Sequence, residues 1–157
     1  MGSVEEAAVA YRAQNPLKKV TKEKGKLKAV PVYMWSSYQK IDAIKEGVSK
    51  EELENLKEQT GLDYDTLAKV LSVAKATLHN KKGKDKFDIS VSERLLLLAD
   101  IYSFGYEVFE SKEKFNQWMK SGNNALGGVS PLNLLDTLYG MEEVKHLIGR
   151  IQYGIYS

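Results

Sequence analysis

A short segment near the middle of the chain concentrates side chains that can hydrogen-bond to DNA. Lys75, Thr77 and Asn80 stand within one stretch of six residues, and two more lysines follow at once. A lysine can donate to guanine or to phosphate, an asparagine can contact adenine, and a small alanine permits close approach to a thymine methyl group. The candidate DNA contacts of this segment are Lys75, Ala76, Thr77, His79, Asn80, Lys81 and Lys82.

A helix-turn-helix pattern over residues 64–83 would position these side chains. Ala68 stands where the two helices must cross closely, a place that suits a small side chain. Ser72 falls at the turn, where glycine is usual because the backbone is left-handed, so we expect strain of roughly 1 kcal/mol there. The second helix is predicted from about residue 74 to residue 80, with its outward side in the major groove. The shared core of the two helices would contain Leu67, Leu71, Val73 and Leu78.

The lysines are distributed unevenly along the chain. The net charge of the 157 residues is only +2, so total charge gives no reason to expect a polyanionic partner. Lysine clusters can follow phosphates, although many such runs are simply solvated surface. One cluster contains Lys18, Lys19, Lys22, Lys24, Lys26 and Lys28, and the other contains Lys75, Lys81, Lys82, Lys84 and Lys86.

Catalytic groups are absent from the places where known motifs would put them. The two histidines, His79 and His146, are far apart, and no H-E-x-x-H sequence or lysine-bearing phosphate loop occurs. The carboxylates are scattered over positions that a helix would expose, which is their usual place on a solvated face. We therefore expect no enzymatic activity, no cofactor and no metal site.

Composition also indicates the compartment. The chain has no cysteine, which excludes disulfides and cysteine-bearing zinc sites and fits a reducing environment. No apolar run approaches the ~18 residues of a membrane span, and the first residues lack the features of a signal peptide. The sequence predicts a cytoplasmic protein without a membrane partner.

Cap signals predict where several helices begin and end. Residues 49–52 and 90–93 each have the spacing of a capping box, and the second would open a strongly apolar helix. Ser130 with Pro131 would begin a helix that stops at Gly140, and a last helix is predicted over residues 142–152. Further predicted features are a stop at Gly61, caps at Asp63 and Ser111, and core positions for Trp35 and Tyr38.

The absence of a convincing alternating strand pattern makes the predicted fold all-α. Residues 1–36 are expected to form a basic, flexible N-terminal arm. Residues 37–87 form the helix-turn-helix unit, and residues 88–157 form a small second helical unit. The lysine-rich segment between the two units is the predicted boundary.

The second unit resembles a known family in its motifs. The phrase Asn-Ala-Leu-Gly-Gly-Val-Ser-Pro-Leu at residues 124–132 is followed by Gly140 and a closing helix with Arg150, Tyr153 and Gly154. This order resembles the toxin-binding domain of the Xre/MbcA/ParS antitoxins. With the helix-turn-helix pattern, the resemblance covers roughly residues 41–157.

The resemblance implies two functions for one chain. Such antitoxins pair with a RES-domain toxin that degrades NAD, and their C-terminal end covers the toxin's active-site cleft. They also form homodimers and repress their own operon by binding operator DNA. By position, the residues implied in toxin binding are Arg150, Tyr153, Gly154, Ile155 and Tyr156.

Two other functions remain open on the sequence. A plain dimeric helix-turn-helix regulator would use its second unit for dimerisation alone and would have no toxin partner. An interaction protein would use the helical hairpin only as structure and would not bind DNA. Tyrosines and an arginine near the C-terminus favour a protein interface, since both residue types are common interface anchors. The alternative is that the C-terminal tail folds onto its own domain.

Overall fold

The computed structural model describes residues 31–154 and has an all-α fold over that range. Inside it, extended pairing is limited to an isolated bridge between Ser49 and Lys86, so the predicted fold class is confirmed. Most of the predicted N-terminal arm lies outside the described residues, as do Ile155 and Tyr156. The α-helices are α1 (Ser37–Glu46), α2 (Lys50–Thr60), α3 (Tyr64–Leu71), α4 (Lys75–Asn80), α5 (Ile89–Phe109), α6 (Lys112–Lys120) and α7 (Leu138–Gln152), and 3-10 helices lie at Val32–Met34, Asn124–Leu126 and Pro131–Leu134.

Several predicted helix ends are confirmed. Ser49 and Glu52 form a reciprocal capping box, with the Glu52 N–H donating to the Ser49 hydroxyl at 3.2 Å and the Ser49 N–H donating to the Glu52 carboxylate at 2.8 Å. Gly61 ends α2 in the left-handed conformation. Asp63 and Ser111 cap α3 and α6 as expected. These short-range signals hold because each cap satisfies an orphan N–H of its own helix.

The capping box predicted at residues 90–93 is wrong. Helix α5 begins earlier, because Asp88 accepts the Val91 N–H at 2.9 Å and acts as the cap. Ser90 is instead an exposed residue of the first turn of α5, and the capping role predicted for it belongs to Asp88, two residues earlier. The nearby Ser92 is buried, where its hydroxyl accepts the Val48 N–H at 2.9 Å and donates to the Phe87 carbonyl at 3.2 Å.

The helix stop predicted at Gly140 is also wrong. Ser130 and Pro131 do open a helix, but it is a short 3-10 turn, and α7 begins at Leu138 and runs through Gly140. Thr137 caps α7 by accepting the Gly140 N–H at 2.9 Å. A Cβ at position 140 would overlap the Leu134 carbonyl, so glycine is needed here for close approach rather than for termination.

Of the two aromatic residues expected in the core near the start of α1, Trp35 is buried, but Tyr38 is 81% exposed. The helix turns Lys40 and Ala43 inward, and Tyr38 lies about half a turn away from Lys40. Trp35 is thus confirmed as a core residue, and the prediction for Tyr38 is wrong.

The longest helix, α5, is the central element of the fold. It packs against α1, α6, α7 and the first 3-10 helix. Its buried Asp100 carboxylate accepts from Lys40 on α1 and from Lys145 on α7, each at 2.9 Å through the same oxygen. One side chain of α5 thereby fixes an early and a late helix of the described chain.

Aromatic rings pack around Phe115 of α6, which is fully buried. Its ring centre lies 5.3 Å from that of Tyr102 and 5.6 Å from that of Tyr106, both edge-on. Burial raises the pKa of both phenols, that of Tyr106 to about 12. Gly105 leaves room for the ring, because a Cβ there would overlap Phe115.

We predict opposite effects for two glycine-to-alanine substitutions in helices. Gly105→Ala should lower the free energy of unfolding by about 1–3 kcal/mol, because the methyl group forces Phe115 out of its site. Gly149→Ala should raise it by about 0.5–1 kcal/mol, because an added Cβ meets no atom within 4 Å and alanine favours a helix. Urea denaturation measures both, and equal effects would contradict the close-approach role of Gly105.

We also predict that Asp100→Asn lowers the free energy of unfolding by about 2 kcal/mol. The substitution keeps the shape but leaves two ammonium groups without their carboxylate. The loss stays moderate because the Lys40 and Lys145 side chains are partly exposed and can regain water. Lys145→Met should cost less, since Asp100 keeps Lys40. An Asp100→Asn variant with an unchanged urea midpoint would refute this account.

Candidate functional site

The predicted helix-turn-helix is present as α3, a left-handed turn and α4. Ser72 has φ 55° and ψ 45°, which confirms the left-handed residue expected at that position. The Val73 N–H donates to the Ala68 carbonyl at 3.0 Å and closes the turn. Leu67, Leu71 and Leu78 are fully buried between the helices, and Val73 packs against the same core.

The predicted DNA-contact residues lie on the outward side of this unit. Leu78 is the buried residue of α4, and the other five residues of the helix are exposed. Lys82 is exposed, and Lys81 is half-buried. Six of the seven predicted residues are therefore exposed to solvent along one short segment of the chain. Their contact with DNA stays a prediction.

Two of these side chains have partners within the protein. The Lys75 ammonium lies 3.0 Å from the Asp65 carboxylate, and both groups are largely exposed, so solvent weakens this pair. The His79 ring centre lies 4.4 Å from that of Tyr64. The Asp63 cap is next to this face, and the hydrogen bond from the Thr66 N–H lowers the pKa of its carboxyl.

The lysine-rich loop after α4 is held by its backbone. The first N–H groups of α2 donate into it, from Lys50 to the Asp85 carbonyl and from Glu51 to the Gly83 carbonyl, both at 2.9 Å. The loop thus satisfies donors that a helix start leaves free. Because the backbone is fixed, the side chains of Lys82 and Lys84 are displayed from a defined position, whereas the Lys86 ammonium donates to the Gly47 carbonyl at 3.1 Å.

A second candidate surface lies at the C-terminal end of α7. A shallow groove of about 680 Å³ runs between α5 and α7, and Tyr153 at its end is 79% exposed. Arg150 pairs with Glu143 at 3.5 Å, while its Nε atom is buried without a hydrogen-bond partner. The lining residues are Phe104, Glu142, Lys145, His146, Gly149, Arg150 and Tyr153. Gly154 is exposed beyond them.

The glycine pair that precedes α7 forms the tight loop expected from the sequence. Gly127 and Gly128 have φ of 71° and 88°. The Asn123 carbonyl accepts the Gly128 N–H at 2.8 Å, and the Asn123 N–H donates to the Val129 carbonyl at 3.1 Å. The loop is therefore closed by its own backbone hydrogen bonds and directs the chain toward Ser130.

Sequence patterns missed two residues that connect these surfaces to the rest of the fold. Arg94 of α5 donates at 3.3 Å both to the Val70 carbonyl in α3 and to the Asp136 carbonyl before α7. Lys50 is buried and donates to the Leu78 carbonyl of α4. Neither position has a sequence signal, since a lysine or arginine at a helix surface is ordinarily solvated.

Residues 31–154 contain neither a cluster of metal-ligating side chains nor a membrane-spanning helix. Across this range there is no group of three or more histidine, aspartate or glutamate side chains that could hold a metal ion. No helix in the same range combines the length and apolar character needed to cross a bilayer.

Both parts of the chain match known protein families. Residues 39–100 match the family described as "Antitoxin Xre-like helix-turn-helix domain", and residues 105–154 match "Antitoxin Xre/MbcA/ParS C-terminal toxin-binding domain". The first matched range ends at residue 100 and the second begins at residue 105, both within α5. The division of the chain at residue 88 stays a prediction.

Three named antitoxins are similar to the chain. A protein of Sphingobium sp. (strain YBL2) named "Prs ADP-ribosylating antitoxin" is 30% identical over 137 residues, which cover 80% of this chain and 86% of that relative. An "Antitoxin Xre" of Photorhabdus laumondii is 40% identical over 76 residues, 48% of this chain and 51% of the relative. An "Antitoxin Xre" of Yersinia enterocolitica is 27% identical over 119 residues, 74% of this chain and 80% of the relative.

These matches confirm the resemblance carried by the Asn-Ala-Leu-Gly-Gly phrase. They cover the helix-turn-helix and the C-terminal surface in the order found here. The chain therefore belongs to the Xre/MbcA/ParS family of antitoxins, with an Xre-like helix-turn-helix domain followed by a domain that binds a toxin partner.

Proposed function

We propose that this antitoxin neutralises a RES-domain toxin by covering its active-site cleft with the C-terminal end of α7, and that it represses its own operon through α4. The chain acts by binding alone and has no catalytic role. Both partners would be met in the cytoplasm.

The observation that carries the toxin-binding role is the surface at the end of α7. An exposed Tyr153 stands beside Arg150, and both side chains line the groove. Tyrosine and arginine are frequent anchors of protein interfaces. The Arg150 side chain is 37% exposed, so the outer part of its guanidinium and the Tyr153 ring can contact a toxin surface laid in the groove.

The identity of the toxin as an NAD-consuming enzyme has separate support. The name of the Sphingobium relative includes ADP-ribosylation, a reaction that consumes NAD as its donor. Degradation of NAD by a RES-domain toxin uses the same substrate. A cleft that binds NAD is a concave target that a protruding helix end can block.

The DNA-binding role is supported by the exposed side of α4 and by the lysines displayed after it. Helices of this kind place their outer residues against base edges, and flanking cations contact phosphates. A homodimer would present two α4 helices to a symmetric operator. On α1, Tyr38 and Ile41 leave apolar surface exposed that a second copy could cover.

The alternative of a plain regulator without a toxin is less favoured. Residues 105–154 match a domain described as toxin-binding, and the groove at α7 offers a surface that simple dimerisation of the DNA-binding unit does not require.

We predict that Lys75→Ala combined with Asn80→Ala lowers affinity for DNA from upstream of the antitoxin gene by about tenfold to a thousandfold. The substitutions remove a cation and an amide that can contact bases or phosphates. Fluorescence anisotropy at several salt concentrations measures the loss. Lys45→Ala, at an exposed position near the end of α1, removes the same charge away from α4, so it is the control and should bind nearly as the unchanged protein does. Undiminished binding by the double variant would remove α4 from the interface.

We predict that Tyr153→Ala combined with Arg150→Ala abolishes protection of cells that co-express the toxin encoded beside this gene. The pair removes the two anchors at the end of α7. DNA binding should persist, because α4 is unchanged.

Tyr139→Ala provides the matched control for this experiment. Tyr139 is 87% exposed at the opposite end of the same helix, so its loss removes an equal aromatic side chain from a different place. The expected result is full protection by Tyr139→Ala. Protection by the Tyr153 and Arg150 double variant would show that the toxin binds elsewhere.

A further inference from the structure

A buried lysine on α2 contacts the carbonyl end of α4. The Lys50 side chain is only 10% exposed, and its ammonium donates to the Leu78 carbonyl. The same ammonium lies 3.3 Å from the Glu54 carboxylate and 4.7 Å from the centre of the Tyr64 ring. A lysine this deeply buried is unusual unless its charge is compensated, and here three groups compensate it.

Tyr64 extends this contact to the outer side of α4. Its hydroxyl donates to Glu54, and its ring packs against that of His79 with 4.4 Å between centres. Lys50, Glu54, Tyr64 and His79 thus form one connected cluster, which we call the α4 clamp. The clamp joins α2, α3 and α4.

Helix α4 needs such external support. It has six residues, and its N-cap residue, Ala74, makes no side-chain capping bond. A helix this short is unstable on its own, and its last carbonyls have no acceptor role within the helix. The buried Leu78 side chain anchors one face of α4. The bond from Lys50 fixes the carbonyl of that same residue and so limits rotation and fraying of the helix.

We propose that Lys50 is a positioning residue for DNA recognition: through the α4 clamp it holds α4 in the orientation that presents its outer residues to the major groove. This inference rests on the proposed DNA-binding function. Lys50 is too buried to reach a phosphate, so its effect on DNA affinity is indirect. Within the clamp, the His79 ring packs against the Tyr64 ring at a tilt of 39°, so His79 also supports the position of α4.

The test compares Lys50→Met with Lys57→Met in the full chain. Lys57 stands on the same helix and its ammonium also lies over the Tyr64 ring, at 5.1 Å, but no bond from it to α4 is present. Both variants lose one positive charge and keep a long side chain. Any difference between them therefore reports the contacts that Lys50 makes and Lys57 does not, which are the bond to the Leu78 carbonyl and the ion pair with Glu54.

We expect Lys50→Met to weaken binding to DNA from upstream of the gene by about tenfold or more, as for the loss of a hydrogen bond from a charged donor. The slope of log affinity against log salt concentration should not change, because no phosphate contact is lost. Lys82→Ala, at a lysine predicted to contact phosphate, should instead reduce that slope by about 1. Lys57→Met should bind nearly as the unchanged protein does, and all variants should still neutralise the toxin.

Hydrogen exchange separates failure of this inference from failure of the proposed function. Backbone amides of α4 should exchange faster in Lys50→Met, while those of α5 keep their protection. Unchanged exchange in α4, or equal DNA binding by the two methionine variants, would overturn the clamp. Absence of DNA binding by the unchanged protein, with faster exchange of α4 in Lys50→Met, would overturn the DNA-binding function but leave the clamp as the support of α4.

Discussion

The packing of α1 and α7 on the central helix α5 depends on one buried carboxylate. Asp100 lies in the middle of α5, where an unpaired charge would be strongly unfavourable. It is retained because ammonium groups from α1 and α7 reach the same oxygen. These two helices come from opposite ends of the described chain, and each belongs to a different matched domain. The ion group therefore joins the helix-turn-helix domain to the toxin-binding domain beside the apolar core that both contribute to, and it holds α7 against α5 at the groove.

A second connection runs through Arg94, which holds a carbonyl of α3 and a carbonyl just before α7. Arg94 thus links the two proposed binding surfaces without lining either of them. Hydrogen bonds to main-chain carbonyls constrain the backbone itself, so displacement of the segment before α7 would alter the support of α3. Such a link is the kind of contact through which toxin binding and DNA binding could influence one another.

Helix caps and turn conformations could be predicted from the sequence, whereas contacts between residues distant along the chain could not. The left-handed Ser72, the caps at Ser49 and Asp63, and the closed glycine loop follow from rules that involve a few neighbouring residues. The errors at Ser90 and Gly140 arose where another residue decided the outcome. Asp88 caps α5 in place of Ser90, and Gly140 lies too close to the Leu134 carbonyl for any side chain, while α7 continues through it. The placement of Tyr38 failed similarly, because pairing of Lys40 with Asp100 sets which face of α1 points inward.

The candidate sites divide in the same way. The outward residues of α4 could be named from the helix-turn-helix spacing, and the end of α7 from a family resemblance. Lys50, Arg94 and Asp100 could not, because their roles depend on helices brought together only by folding. The fit of Phe115 against Gly105 is of this kind as well, since the ring occupies the volume of a missing methyl group. Within the family, these two positions are expected to covary: a chain that carries a side chain at the position of Gly105 should carry a smaller residue at the position of Phe115.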